Sequence, residues 1–458
     1  MERLLVETGM KGPGWIDVSQ YVPSDARVSH CKYEFTVDMT RMKDIAYVSD
    51  SVQAPTPPLR MMAVNVLTAL NKKRENEICM ISLLVNNKAP VDGLTAEPTK
   101  CAGDDQAPRP DLIVGHDASA TINRLMARLA KHDIKTWPFM GRLKRSIPLK
   151  QIAHTKAAQS EMTVGRLVLD TKTSSMELVR CRSYELTELV EGLLNARIAA
   201  LPDPGDIPAY YATSTQLLKL IKNSWNESRW TVKLAAHVNA LPLAFQITNV
   251  VGGVTSRTLM GGRAERNEFH LLHAFHRNDM ISPDKAQSQF KHKDTQSTQQ
   301  SATQKHVKKD DEGDEEEDGP GAAHPAEADH KKKTQYSGGL VLEPKRGLYD
   351  TMILCLDFNS LYPSIIQEYN ICFSTVNYTQ KDSDDLPEPP NQTLAEGILP
   401  ESFEASSNAD DAEKKQLDIR QMALKLTANS MYGCLGFQMS RFTRNPSPHL
   451  SRRRGERF

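Results

Sequence analysis

Residues 352–370 read MILCLDFNSLYPSIIQEYN, and the division of this stretch decides the fold. Met352 to Leu356 make a short uncharged apolar run, the pattern of a strand buried on both faces. Asp357 closes the run, a tight turn follows, and the residues from Ser360 predict a helix. Pro363 lies near its first turn, where a missing N–H costs nothing. A carboxylate at the end of a strand is held rigidly, and the N–H groups of Ser360, Leu361 and Tyr362 open the helix and suit phosphate oxygens. Hard oxygen ligands beside phosphates favour magnesium. A lone Asp before a helix is more often an N-cap, so both readings of Asp357 stay open on this stretch alone.

A second helix bears on the choice. Good helix formers run from about Asp411 to Tyr432, and Gly433 and Gly436 predict the end. Lys425, Asn429 and Tyr432 recur at i, i+4 and i+7, with Gln421 one turn earlier, so a cation, an amide and an aromatic ring share one face. Such a set suits a nucleotide, with Lys425 on the triphosphate, Asn429 on base or sugar and Tyr432 on the base pair. A solvated face is the plain alternative, against which Gly433 weighs by allowing close backbone approach.

Upstream, residues 1–60 hold short alternating stretches such as CKYEFTV, broken by Pro and Gly, and predict a β-rich unit. Over 61–243 strand-like runs (ICMISLLV, LIVGH, GRLVLD) alternate with helical ones (ATINRLMARLAKH, SYELTELVEGLLNARI, TSTQLLKLIKN), which argues an α/β domain. Residues 244–283 connect it onward. Residues 284–335 segregate basic and acidic blocks with almost no large apolar residue and read as a disordered charged insert. The two motif stretches fall in 336–397 and 398–437, and 438–458 has neither periodicity nor core residues.

Composition excludes more than it assigns. The 458 residues carry 57 Lys+Arg against 57 Asp+Glu, so net charge says nothing about nucleic acid. Seven widely spaced cysteines without a Cys-x-x-Cys pair suggest neither a zinc site nor a disulfide framework and read as reduced thiols. No apolar run reaches membrane-span length and the first residues lack a signal-peptide core, which predicts a cytosolic or nuclear protein without membrane contact.

DFNSLYPSIIQEYN resembles motif A of the B-family DNA polymerases, and KLTANSMYG resembles their motif B, in the family's order. The flanks DIRQMALKLTANSMYGCLGF and SRTLMGGRAERNEFHLLHAF, with GRLKRS at 141–146, are most similar to the alpha branch of that family. The resemblance implies a multidomain α/β fold: a β-rich N-terminal domain, an RNase H-like exonuclease-type domain, part of a ferredoxin-like α+β palm, and helical fingers. It implies that Asp357 and the Phe358 carbonyl bind magnesium, and that the Ser360, Leu361 and Tyr362 amides hold triphosphate. Tyr362 would also exclude a 2′-hydroxyl. Lys425, Asn429, Tyr432 and Gly433 would form the nucleotide pocket, and Tyr336, Gly338 and Gly339 would contact template. Arg257, Arg263 and Arg266 fit phosphate contacts, and solvated or structural arginines equally well. The implied function is DNA-directed DNA synthesis by two-metal nucleotidyl transfer, extending an RNA–DNA primer with dNTPs. Primase and an accessory subunit are the implied partners, attached through a carboxyl-terminal domain, and the nucleus the implied location.

The sequence also departs from the family. Proofreading relatives carry Asp-x-Glu where Met62 to Val66 read MAVNV; DASATI at 117–122 ends in Ile122 where they place an acid; and Glu227 is the nearest acid in NSWNESRW. A two-metal nuclease cannot be built from these residues, so an inactive exonuclease domain is expected. No Tyr-Gly-Asp-Thr-Asp string occurs, and the Arg-rich stretch from about Thr443 suggests a truncated or frameshifted end. The fingers are shortened, with Lys414 and Lys415 as the basic residues between Pro400 and Asp418, and residues 100–111 also look shortened. The alternative function is therefore a non-catalytic fragment that binds DNA or nucleotide weakly.

Overall fold

The computed structural model describes residues 2–24, 26–38, 44–48, 56–71, 73–91, 94, 109–145, 149, 160–282, 342–343, 345–356, 361–369 and 411–436, with the backbone alone for 411–413 and 431–436. A first helix, α1 (Glu2–Glu7), precedes two small antiparallel ladders. In these, β1 (Ile16–Val18) pairs with β4 (Ile45–Tyr47), and β2 (Val22–Pro23) with β3 (Phe35–Thr36). Where a β-rich unit was expected over 1–60, the described residues hold α1 and these four strands of two or three residues. Frequent Pro and Gly keep them short.

The main sheet is built on a long hairpin. β5 (Leu59–Leu70) turns into β6 (Asn76–Ala89), and the Asn71 side chain shapes the turn by accepting from the N–H groups of Lys73 and Glu75, at 2.8 and 3.0 Å. β7 (Leu112–Gly115) and β8 (Leu167–Asp170) then add in parallel, giving the order β6-β5-β7-β8. Parallel neighbours need helical crossovers. One is α2 (Ala118–Lys131), which lies against the sheet between β7 and β8.

After β8 the chain is mostly helical: α3 (Thr171–Leu178), α4 (Leu186–Leu194), α5 (Ile207–Tyr210), α6 (Ser214–His237), α7 (Ala240–Val251), α8 (Thr255–Thr258) and α9 (Arg263–Arg277). One sheet face, with Met61, Ala63, Leu112, Val114 and Leu169, packs on Val232 and Ala235 of α6 and Leu241 and Ala244 of α7. At roughly 25 cal/mol per Å² of apolar surface, this layer is a principal source of stability. α7 runs across the expected boundary at 243/244, because Pro242 falls in its first turn and does not interrupt it. Gly252 ends the helix at φ 70°, and its carbonyl meets His273 Nε2 of α9 at 2.9 Å.

Two short stretches complete the described chain: α10 (Leu361–Glu368) and α11 (Asp411–Gly436). The expected strand at Met352 to Leu356 is not formed. These residues are irregular and exposed, Met352 at 99% and Leu356 at 82%. No strand among the described residues pairs with them, and a strand without a neighbour leaves its backbone groups to water and its apolar faces uncovered. α11 passes Gly433 and ends at Gly436, the second of the two glycines expected to close it, since one glycine weakens a helix by only about 1 kcal/mol.

Candidate nucleotide face and nuclease-like sheet

α11 is fixed by one apolar stripe. Ile419, Ala423 and Leu426 lie at helical spacing and pack with Leu243, Ile247 and Val251 of α7. With that side pinned, Gln421, Lys425 and Asn429 are all exposed. The backbone spacing puts Tyr432 and Gly433 one turn on. α10 packs beside α11, its Ile365 buried and its Ile366 set against Val6, Leu272 and Phe275. Leu361 and Tyr362 are half-buried at the start of α10. The two sequence motifs, more than fifty residues apart in the chain, thus meet as adjacent helices. Asp357, Phe358 and Ser360, and likewise Tyr336, Gly338 and Gly339, lie outside the described residues.

The three arginines separate. Arg257 is exposed and pairs with Glu265 at 3.2 Å. Arg263 is half-exposed, 3.9 Å from Glu177. Arg266 is a correction to the phosphate-contact reading. Its side chain is 9% exposed, its Nη1 and Nη2 donate to the Glu177 carboxylate at 2.5 and 3.1 Å, and Nη2 also donates to the Thr258 carbonyl at 2.6 Å. A guanidinium so engaged ties α9 to α3 and α8 and is turned away from any phosphate. Glu177 carries no local signature that sequence reasoning could have used, because the pair spans 89 residues.

On the nuclease-like sheet, alternation along β5 sets the outcome. Val64 and Val66, in the MAVNV stretch, face α2 and cluster with Ile113, Leu125 and Val168. Asn65 faces the other way. Its Nδ2 donates to Glu227 Oε2 of α6 at 2.8 Å and to the Ser224 carbonyl at 3.3 Å. The nearest acid found in the sequence is therefore on the opposite face from the valines. Burial pushes the Glu227 carboxyl up to about 7, opposed by the Asn65 hydrogen bond. Ile122 is buried with Met126, Trp137, Leu149 and Met162.

Asp117 and Asp170 sit at the carboxyl ends of β7 and β8, but both cap helices. Asp117 accepts from Ala120 N–H at 3.3 Å, and Asp170 accepts from Lys172 N–H at 2.9 Å and Asp117 N–H at 3.0 Å. Burial, and secondarily the Asp117 charge, raises Asp170 above the usual carboxylate range. His116 bridges Thr171 Oγ1 and the Tyr184 carbonyl at 2.9 and 3.0 Å, and burial lowers its basicity. Among the described residues no group of three or more His, Cys, Asp and Glu could hold a metal ion.

Comparison with known proteins agrees with this architecture. The family model DNA polymerase family B matches residues 254–451, and the model DNA polymerase family B, exonuclease domain, matches residues 1–102. The chain is 38% identical to a Xenopus laevis DNA polymerase alpha catalytic subunit, with 99% of this chain and 34% of that protein covered. Its counterparts from Mus musculus and Trypanosoma brucei brucei are 35% and 30% identical, with 97% and 99% of this chain and 33% and 37% of those proteins covered. The chain thus spans about a third of the length of these relatives. The solved family B DNA polymerase of the archaeon Pyrobaculum calidifontis superposes with a TM-score of 0.59 at 19% identity, over 98% of this chain and 55% of that one, which shows a shared fold. Residues 1–102 and 254–451 therefore match domains of the B family of DNA polymerases.

Proposed function

We propose that the chain forms the nucleotide-selecting face of a DNA-directed DNA polymerase of the alpha catalytic-subunit type, acting on primed DNA with dNTPs. The observation that carries this reading is the packing of α10 on α11 with Lys425 and Asn429 turned to solvent. Lys425 supplies a cation for a triphosphate, and Asn429 an amide one turn away for base or sugar. Tyr362, at the opening of the neighbouring helix, lies beneath the incoming sugar and selects dNTP over rNTP by steric fit. Tyr432 and Gly433 complete the pocket, and Tyr336, Gly338 and Gly339 contact template. Asp357 and the Phe358 carbonyl would hold a divalent ion, magnesium, which would neutralise phosphate charge and make a primer 3′-hydroxyl more acidic. A second carboxylate cluster completes such a site, and its family string is not among these 458 residues. By the same resemblance the partners include primase and an accessory subunit, and the setting is the nucleus.

The test is equilibrium binding of a fluorescent dNTP analogue with magnesium, read by anisotropy. Lys425→Ala is expected to weaken it about ten- to a hundredfold, the range for a hydrogen bond to a charged group. Unchanged binding in a folded K425A chain would remove the nucleotide reading.

The same proposal includes a nuclease-type domain without nuclease activity. Its support is the apolar cluster at Val64 and Val66, with Glu227 behind the sheet. A 5′-labelled single strand incubated with the chain and magnesium or manganese is expected to keep its full length. Steady shortening of the strand by the purified chain would overturn this.

A further inference from the structure

The main sheet has an open edge, remote in sequence from the nucleotide face. No strand among the described residues pairs with the outer side of β6. Between two register shifts its pairing with β5 is unbroken from Met80 to Asn86, so this part of the edge is regular. Edge strands are ordinarily guarded by a charge, a proline or a bulge. Residues 78–87, ICMISLLVNN, carry no charge and no proline. The bulge falls at the amino end, at Cys79, whose carbonyl accepts from the Tyr211 hydroxyl at 3.3 Å. At the other end the Lys88 N–H donates to the Asn86 side chain at 3.0 Å. Both ends of the edge are thus closed, and the stretch between them is unguarded.

Apolar side chains flank that stretch on both faces of the sheet. Ile81 and Leu83, opposite Val66 and Val64 of β5, lie on the α2 face and are nearly half-exposed. The other face is covered by α6, which is anchored to β6 where the Ser82 and Ser224 hydroxyls share a hydrogen bond of 2.7 Å. One flank of α6 packs through Trp230 and Leu234 on Leu186, Leu189 and Val190 of α4. The other flank, beside β6, carries Leu218, Ile221 and Trp225 at i, i+3 and i+7, an apolar stripe whose members are 38% to 65% exposed.

We propose that this edge joins two copies of the chain, β6 pairing antiparallel with its own counterpart about a two-fold axis at Ser82, with the α6 stripes packed together beside it. The pairing stands on its own observations and does not depend on the polymerase reading.

The register is self-complementary. Antiparallel pairing about Ser82 sets Ile81 opposite the partner's Leu83, and Leu83 opposite the partner's Ile81, so each exposed apolar side chain meets another. The two β6 strands then stand about 4.8 Å apart. Because Ser224 is bonded to Ser82, α6 lies near the same axis, and an axis normal to the sheet brings its counterpart alongside on the same face. Two helices so placed sit near the spacing of about 8–10 Å at which helices pack, and their stripes face one another. A strand added by a foreign protein would pair with β6 and leave most of the α6 stripe bare. Covering both at once selects a second copy. With Ile81, Leu83, Leu218, Ile221 and Trp225 covered in each copy, roughly 1,000 Å² is buried, near the smallest area of a specific interface. The dimer is therefore a weak one, with a dissociation constant on the order of 10 μM. Since both copies use the same patch, assembly stops at two.

The experiment is sedimentation equilibrium of the whole chain over concentrations that bracket this value, where the parent is expected to pass reversibly from monomer to dimer. Ile81→Lys with Leu83→Lys sets like charges opposite one another across the axis and should raise the dissociation constant about a hundredfold or more, with the circular dichroism of the parent retained. Trp225→Ala should raise it about tenfold. Ile81→Val with Leu83→Ile should keep the dimer. Ser82→Cys reads the register without the lysines. Its two copies at the axis stand about 5 Å apart between Cα atoms, within disulfide reach, so mild oxidation should link two chains. Asn87→Cys, far from the axis in this register, should link none above the parent. A parent that stays monomeric across the range, a dimer untouched by both the lysine pair and W225A, association beyond two copies, or equal linking of S82C and N87C would each overturn the proposal.

Discussion

Arg266→Ala is expected to destabilise the folded chain by about 3–5 kcal/mol, because it leaves the Glu177 carboxylate, 14% exposed, without its close partner. Arg263, at 3.9 Å, is too far and too exposed to take over. The Thr258 carbonyl loses its donor as well. Urea unfolding at neutral pH, followed by circular dichroism, reads the effect as a shift of midpoint at constant slope. Two comparisons make the measurement specific. Arg257→Ala breaks an exposed pair with Glu265 and should cost under ~1 kcal/mol. Arg266→Met combined with Glu177→Leu should recover most of the loss, since replacing both charges leaves neither stranded. Equal effects of R266A and R257A would show that the buried pair does not hold α9 to α3.

Glu227→Gln is expected to stabilise the chain at alkaline pH. Burial raises the Glu227 carboxyl from its ordinary 4.5 to about 7 in the folded chain. A raised folded value means that the unfolded state ionises first. The favourable protonated form is therefore fully present below about pH 4.5 and is lost as pH rises through about 7. Above that the buried charge costs up to ~3 kcal/mol, from about 1.4 kcal/mol per pH unit of difference. Glutamine keeps the volume, stays neutral, and still accepts from Asn65 through its amide oxygen. The gain of E227Q over the parent should be largest at pH 8 and vanish near pH 4. A pH-independent difference would mean that Glu227 is not a buried acid in the folded chain.

Much of the sheet was legible in residues. ICMISLLV lies in a strand, as do LIVG of LIVGH and LVLD of GRLVLD, because alternation or a short apolar run signals a strand wherever partners are near. ATINRLMARLAKH and TSTQLLKLIKN lie in helices for the matching reason, an apolar stripe at helical period. MILCL failed on the same logic, since its apolar run predicts a strand and its neighbours decide whether one forms. The expected boundary at 243/244 falls inside one helix, Ala240–Val251, whose continuity is set by its packing on the sheet.

At the candidate sites the division is sharper. That Lys425 and Asn429 share a face follows from their spacing. That this face is the solvent face followed only once Ile419, Ala423 and Leu426 had found α7. That MAVNV holds no carboxylate was plain from the sequence, yet which side of β5 Glu227 occupies depended on where α6 packs. A structural role was one of the two readings of Arg266, but its partner Glu177, 89 residues away, left no trace in the sequence.

What the sequence by itself determined is the set of motifs, their order and the residue types that nucleotide chemistry needs, with Asp357 and the Lys425, Asn429 and Tyr432 spacing at their centre. Local spacing is a property of a single helix or strand and requires no partner to be read. What only the tertiary structure decided is which charges face water and which are buried together. Arg266 and Glu177, or Asn65 and Glu227, are brought together by packing across distant segments, and burial then makes a structural arginine of one whose role its sequence neighbours leave open.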